Sequence, residues 1–244
     1  MKFFKNIKLV AVALLVCAGF TACSEDEPKV IETQFLRFEQ GFYVINQGNN
    51  GVLDGTLDFF KTDGTRFESV FKAVNEKSLG DSPQRAVLYG SRLYLPVFTE
   101  NKVWVLDANT ARVIAEVNTN QPEAVCGANG YVFVSNNDGY VTRVDTTSFT
   151  ASEPLAVGPN PANMTTYNNK VYVSISDGYN SGNGYANGFK VAEIDAAQFN
   201  VTRNITVGMN PGDITSDNEG NIYVVCRGDY GATPSKVWKF NVSN

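Results

Sequence analysis

Pro161-Ala-Asn-Met-Thr-Thr-Tyr167, Asn168-Asn169-Lys170, Val171-Tyr-Val-Ser-Ile175, a glycine-rich run, and Phe189-Lys-Val-Ala-Glu-Ile-Asp195 form one continuous stretch. The same pattern is written four times. The prolines that open it are Pro83, Pro122, Pro161 and Pro211, which stand 39, 39 and 50 residues apart. A repeat of forty-odd residues carrying several short strands is the period of a β-propeller blade.

Working outward, each repeat divides into strands A to D. Strand A follows the proline, at residues 85–89, 123–126, 163–167 and 213–216. Proline suits a strand start, where no ladder donor is needed. Strand B is an apolar aromatic core: Leu93-Tyr94-Leu95, Val132-Phe133-Val134, Val171-Tyr172-Val173 and Ile222-Tyr223-Val224. Strand C covers 103–107, 140–145, 189–195 and 237–241, and strand D covers 112–117, 154–157 and 201–207. Mixed alternation and continuous apolar runs predict strands buried between neighbouring sheets. Ahead of the repeat, residues 42–46, 56–61 and 67–74 read as strands, and residues 35–38 as a short one.

The turns differ by side. A–B turns are short and rich in Gly and Asn. C–D turns start at Asp107, Asp145 and Asp195, where the carboxylate can bond backbone amides ahead of it. The B–C loops vary strongly, at 47–55, 98–101, 136–139, 177–188 and 227–235. One uniform face and one irregular face describe a scaffold that carries a variable binding face.

Residues 1–22 are a secretory signal: Lys2, Lys5 and Lys8 precede an apolar run at 9–20 that is too short to span a bilayer. Thr21-Ala22-Cys23 resembles a bacterial lipobox, so Cys23 is the expected lipidation site and the chain is anchored to a membrane rather than spanning it. The alternative is an ordinary signal cut near Ala22. Ser24-Glu25-Asp26-Glu27 follows, within an acidic tether over 23–40. Without the signal the chain has 20 − 3 = 17 basic against 25 acidic residues, a balance of −8. That balance argues against nucleic acid and against direct binding to anionic lipid. Cys126 and Cys226 lie in apolar strand runs and read as small buried hydrophobes; an oxidising compartment would permit a disulfide between them, but the repeat places them two blades apart, so none is expected.

The chain contains 0 histidines, which removes Ser-His-Asp and Cys-His catalysis and His-ligated zinc. The expectation is a binder, not an enzyme, with no cofactor and no metal. Asp177, Asn180 and Asn183 lack the spacing and terminal Glu of an EF-hand loop and read as a polar loop. Residues at the start of strand A face the channel of a propeller. Here they are Gln84, Arg85, Glu123, Asn163 and Asp213. With Phe98, Asn136, Tyr179, Tyr185, Arg227 and Tyr230 from the B–C loops they predict a polar bowl with an aromatic rim. Trp104 and Trp238 hold matching strand-C positions and read as packing between sheets.

Pro-x-x-Φ, then Φ-Tyr-Val-Ser, then Val-x-x-Asp resembles the surface-layer-type propeller repeats with the signature Tyr-Val-Thr-Asn. Gly41-Phe-Tyr-Val-Ile-Asn-Gln-Gly-Asn-Asn50 with Thr56-Leu-Asp-Phe-Phe60 resembles the opening blade of Bacteroidota surface lipoproteins of that type. The acids after Cys23 resemble the surface-export signal of such lipoproteins. The resemblance covers nearly all of residues 41–244. It implies an all-β propeller of four-stranded blades on the outer membrane, exposed at the cell surface. It also implies capture of a small molecule, cobalamin in some members, for an outer-membrane transporter. A protein- or glycan-interaction module is the alternative, since one propeller scaffold hosts many functions. Family members have seven blades. About five are present here, with partial sheets at both ends. Either about two blades are missing, or five close with residues 35–38 borrowed into the last. The expectation is a truncated seven-bladed propeller.

Overall fold

The computed structural model describes residues 37–243. The signal, Cys23, the acidic run behind it, and residues 35 and 36 lie outside the described residues. Within them the chain is all-β and built as consecutive antiparallel meanders. Sheet 1 holds β1 (Gly41–Asn46), β2 (Thr56–Lys61) and β3 (Arg66–Phe67), followed by helix α1 (Val70–Asn75). Sheet 2 holds β4 (Val87–Tyr89), β5 (Arg92–Val97), β6 (Lys102–Asp107) and β7 (Val113–Asn118). Sheet 3 holds β8 (Pro122–Ala128), β9 (Tyr131–Asn136), β10 (Tyr140–Asp145) and β11 (Leu155–Ala156). Sheet 4 holds β12 (Pro161–Tyr167), β13 (Lys170–Ile175), β14 (Lys190–Asp195) and β15 (Asn200–Thr206). Sheet 5 holds β16 (Pro211–Ser216), β17 (Asn221–Cys226) and β18 (Lys236–Asn241). In every sheet spatial order follows chain order, the propeller-like arrangement that the repeat predicts.

The apolar runs of strand B now have a physical account. Leu93 and Leu95 of β5 pack toward sheet 1, while Tyr94 between them packs toward sheet 3. Val132 and Val134 of β9 face sheet 2, and Phe133 faces sheet 4. Tyr172 of β13 joins Ile222 and Val224 across to sheet 5, while Val171 and Val173 face sheet 3. β5, β9 and β13 are therefore apolar on both faces because both faces are core, a pattern more familiar from parallel sheets, whereas β17 buries Ile222 and Val224 on one face and leaves Val225 exposed on the other. Cys126 and Cys226 are free and buried, in the sheet 3–4 and sheet 4–5 clusters respectively. Burial pushes both thiols up from the usual range.

The C–D turns form as the sequence predicts. Asp107 Oδ1 accepts from the Asn109 and Thr110 amides at 3.1 and 2.9 Å. Asp145 Oδ1 accepts from Thr147 and Ser148 at 2.8 and 2.7 Å, and Asp195 Oδ1 from Ala197 and Gln198 at 3.0 and 2.9 Å.

Three sequence expectations need correction. The strand expected over 67–74 is instead the end of β3 followed by α1. Ser69 adopts φ 50°, with its amide bonded to buried Asp58, and this turns the chain out of the sheet. Helix α1 then buries Val70 and Phe71. Asn75 ties the helix to sheet 2: its Nδ2 donates to the Ala111 carbonyl, and its Oδ1 accepts from the Val113 amide, both at 2.9 Å. Residues 37 and 38 form no strand; Phe38 instead plugs the sheet 1–2 core against Phe59. Trp104 packs between sheets, with its Nε1 donating to the Leu79 carbonyl, but Trp238 is exposed.

Candidate ligand-binding site

A second repeated device builds the irregular face. The residues before the four prolines, Ser82, Gln121, Asn160 and Asn210, all have positive φ, from 43° to 56°. This left-handed bend is rare outside Gly and Asn. It turns each carbonyl toward the residue that leaves strand B. Ser82 O accepts from the Phe98 amide at 3.1 Å, Gln121 O from Asn137 at 2.9 Å, Asn160 O from Ser176 at 3.1 Å and Asn210 O from Arg227 at 2.9 Å. Phe98, Asn137, Ser176 and Arg227 are thereby hung at equivalent points in four sheets. The loops beyond them are free to differ.

In sheets 3 to 5 these points enclose a cavity of about 230 Å³. Its floor comes from the starts of β8 and β12, with Glu123, Pro161, Ala162 and Asn163. Its walls are Asn137, Asn160, Ser176, Gly178 and Asn210. Arg227, Tyr179 and Tyr230 complete it from the loops. Arg227 lies against Gly212: a Cβ there would come within 2.6 Å of the guanidinium carbon. The glycine thus makes room for the arginine. Tyr179 and Tyr230 are 79% and 75% exposed at the rim. The Tyr179 hydroxyl accepts from Asn137 Nδ2 at 2.9 Å, joining the loops of sheets 3 and 4.

Beside the cavity, Asp213 on β16 links three sheets. Its Oδ1 accepts from Asn163 Nδ2 at 2.7 Å and from the Arg85 guanidinium of sheet 2 at 2.8 Å, across 128 residues of chain. Both partners of the ion pair are about half exposed, so solvent screens it and its contribution to stability is small.

Of the residues expected from sequence, Glu123, Asn163, Tyr179, Arg227 and Tyr230 line this one cavity, and Arg85 and Asp213 join it through Asn163. The remaining four do not line it. Asn136 is 2% exposed and donates to the hydroxyls of Thr119 and Thr142, an internal brace of sheet 3. Tyr185 is 4% exposed, because the 177–188 loop folds back over it. Asp177 Oδ2 drives that fold by accepting from Asn180 Nδ2 and the Asn187 amide, both at 2.9 Å. Gln84 bonds the Ser82 carbonyl at 3.3 Å, and Phe98 sits on the sheet 2 loop. Sequence reasoning missed Asn137, Asn160, Ser176 and Asn210. The signal was available in the polar residue before each proline and in its recurrence with the repeat.

Burial raises the Glu123 carboxyl above its usual range, and the Arg227 charge only partly opposes this. A raised native value means that the folded state holds the proton more tightly than the unfolded one. Stability is then lost as pH climbs from the ordinary carboxylate range through the native value. Glu123→Gln removes the buried charge. It is expected to melt above the parent protein at pH 7, with the gap closing below about pH 4, where glutamates are protonated in both states. Thermal melts at the two pH values check this; an equal gap at both would contradict it.

A propeller-like stack of antiparallel sheets with a polar cavity on its irregular face is the class that fold and site define. The chain belongs to the DUF5074 family, described as a domain of unknown function, whose pattern matches residues 40–241. No curated protein matches the sequence. Among solved structures, a hydrazine synthase chain of Kuenenia stuttgartiensis is 20% identical with a TM-score of 0.59, over 66% of this chain and 46% of that one. The computationally designed protein Ika8 is 14% identical with a TM-score of 0.57, over 80% of this chain and 57% of that one. The designed protein Ika4 is 10% identical with a TM-score of 0.51, over 66% and 92%. The chain thus spans less than two thirds of the first two, and what is shared at these identities is the fold.

Proposed function

We propose that this protein is a lipid-anchored, surface-exposed binder that captures a ligand on the irregular loop face of its propeller and performs no catalysis. The observation that carries this reading is the gathering of Glu123, Asn163, Arg227, Tyr179 and Tyr230 on one cavity. They come from three sheets and from positions 123 to 230 of the chain. Cobalamin is the ligand that the resemblance to surface lipoproteins supplies, with an outer-membrane transporter as the recipient. The same reading takes these sheets as part of a seven-bladed ring. The exposure of Val225, Val237 and Trp238 on sheet 5 is consistent with a further neighbour there. A surface-layer-like protein or glycan module, the second reading, would need only the exposed face.

Calorimetric titration with cobalamin tests the binding. Arg227→Ala and Tyr230→Ala are each expected to weaken it by about 2 kcal/mol, as truncation of anchoring residues does. Asn109→Ala, on the opposite turns, should leave it unchanged. Equal losses on both faces would remove the assignment of the site. The anchor is tested separately: Cys23→Ala is expected to move the protein from the membrane fraction to the soluble one. Retention in the membrane fraction would refute lipidation there.

A further inference from the structure

We propose that the cavity between sheets 3, 4 and 5 takes one ring of a neutral saccharide. This rests on the reading of the cavity as the ligand site and narrows the class of ligand. The polar groups there fall into two sets. Asn137, Asn160 and Ser176 are committed to the wall: Asn160 Nδ2 donates to Asn137 Oδ1 at 2.9 Å, and Ser176 Oγ donates to the Asn160 carbonyl at 2.8 Å. The second set, among the described residues, has no hydrogen-bond partner. It comprises the Glu123 carboxylate, Asn163 Oδ1, the Arg227 guanidinium and the Tyr230 hydroxyl. Asn210 also lines the cavity, but its unpartnered Oδ1 is buried and not open to a ligand.

The uncommitted groups ask for a particular chemistry. Arg227 only donates, while the Glu123 carboxylate and Asn163 Oδ1 only accept. A ligand that satisfies both must donate and accept within a short distance, which a ring of hydroxyl groups does. Charge sharpens the choice. Glu123 and Asp213 stand against Arg85 and Arg227, so the surroundings are balanced. A phosphate would meet Arg227 and then face the Glu123 carboxylate, and an ammonium would meet the reverse. The exposed rings of Tyr179 and Tyr230 add apolar faces with polar tips, which suit the C–H face of a pyranose. Size agrees as well. The volume of about 230 Å³ lies below the roughly 300–1,000 Å³ of pockets that enclose drug-sized ligands. One sugar ring can enter, whereas a corrinoid could rest only an edge there.

The test is calorimetric titration of the purified full-length protein with maltose, cellobiose and N,N′-diacetylchitobiose, with sialyllactose as an anionic control and cobalamin as a separate arm. At least one neutral disaccharide is expected to bind. Arg227→Met and Asn163→Leu should each weaken it at least tenfold. Should either variant fail to fold, Tyr230→Ala, exposed and outside every core cluster, should still weaken binding at least fivefold. Tighter binding of sialyllactose than of every neutral sugar overturns the proposal. So does sugar binding that these variants leave intact. Cobalamin binding without sugar binding overturns the saccharide and leaves ligand capture standing. Binding of neither, with both melting curves unchanged, overturns the two together.

Discussion

Phe71→Ala is expected to cost about 3–5 kcal/mol of stability, the range for removing a phenylalanine from a packed core. The ring is buried, with its centroid 5.2 Å from that of Trp104 in sheet 2. Around it lie Leu57 and Phe59 of sheet 1 and Leu95 and Leu106 of sheet 2. Helix α1 is only six residues long, too short to persist on its own propensity. It holds because Val70 and Phe71 are buried and Asn75 is bonded to sheet 2. Losing the ring should therefore loosen α1 and the seat of sheet 1 together. Chemical denaturation measures the loss, and a cost under about 1 kcal/mol would show that the helix is not what fixes sheet 1. The ligand cavity lies in sheets 3 to 5, so cobalamin or disaccharide affinity in the folded variant should be unchanged.

The same helix marks where reading from sequence stopped. Residues 67–74 read as one more strand in the run, yet Phe67, Val70, Phe71 and Val74 stand at i, i+3, i+4 and i+7, the period of a helix, so the pattern itself pointed to the helix. Asp58 decided it, from eleven residues away, by accepting the Ser69 amide at 2.9 Å. The four repeats, by contrast, were legible because each carries its own punctuation: a proline, an apolar triplet and, in the first three, a turn aspartate that Asn241 replaces in the fourth. The cavity was half legible. Its residues at the start of strand A and on the loops could be named from topology. Asn137, Asn160, Ser176 and Asn210 were missed, because the left-handed bend before each proline is a backbone property that residue type only hints at. Tyr185 was misplaced for a related reason. A loop rich in Gly and Asn reads as open, but the Asp177 carboxylate gathers it inward and buries the ring.

Gly127→Val is expected to cost about 3 kcal/mol, the upper part of the usual range for overpacking. Gly127 lies on β8, opposite Val132 of β9, and the ring of Tyr89 from sheet 2 lies against it. A Cβ at this position would stand 2.1 Å from Tyr89 Cδ2 and 2.4 Å from Cγ. Those atoms are the base of a ring, not the end of a flexible chain. The ring is held at its far end too, where the Tyr89 hydroxyl accepts from the Gly130 amide at 2.9 Å. At the same step of the repeat, five residues past the proline, stand Leu88, Thr166 and Ser216. The glycine therefore answers to Tyr89 and not to the strand. Unlike the change at Phe71, this one should reach the site, because β8 begins beside Glu123 on the cavity floor. A shift of β8 away from sheet 2 should weaken ligand binding as well as stability. A double-mutant cycle separates cause from coincidence. If the ring is what excludes the side chain, Tyr89→Ala and Gly127→Val together should cost at least 1 kcal/mol less than the sum of the two changes, within the range for residues in contact. Additive losses would mean that β8 tolerates no side chain there for some reason other than Tyr89.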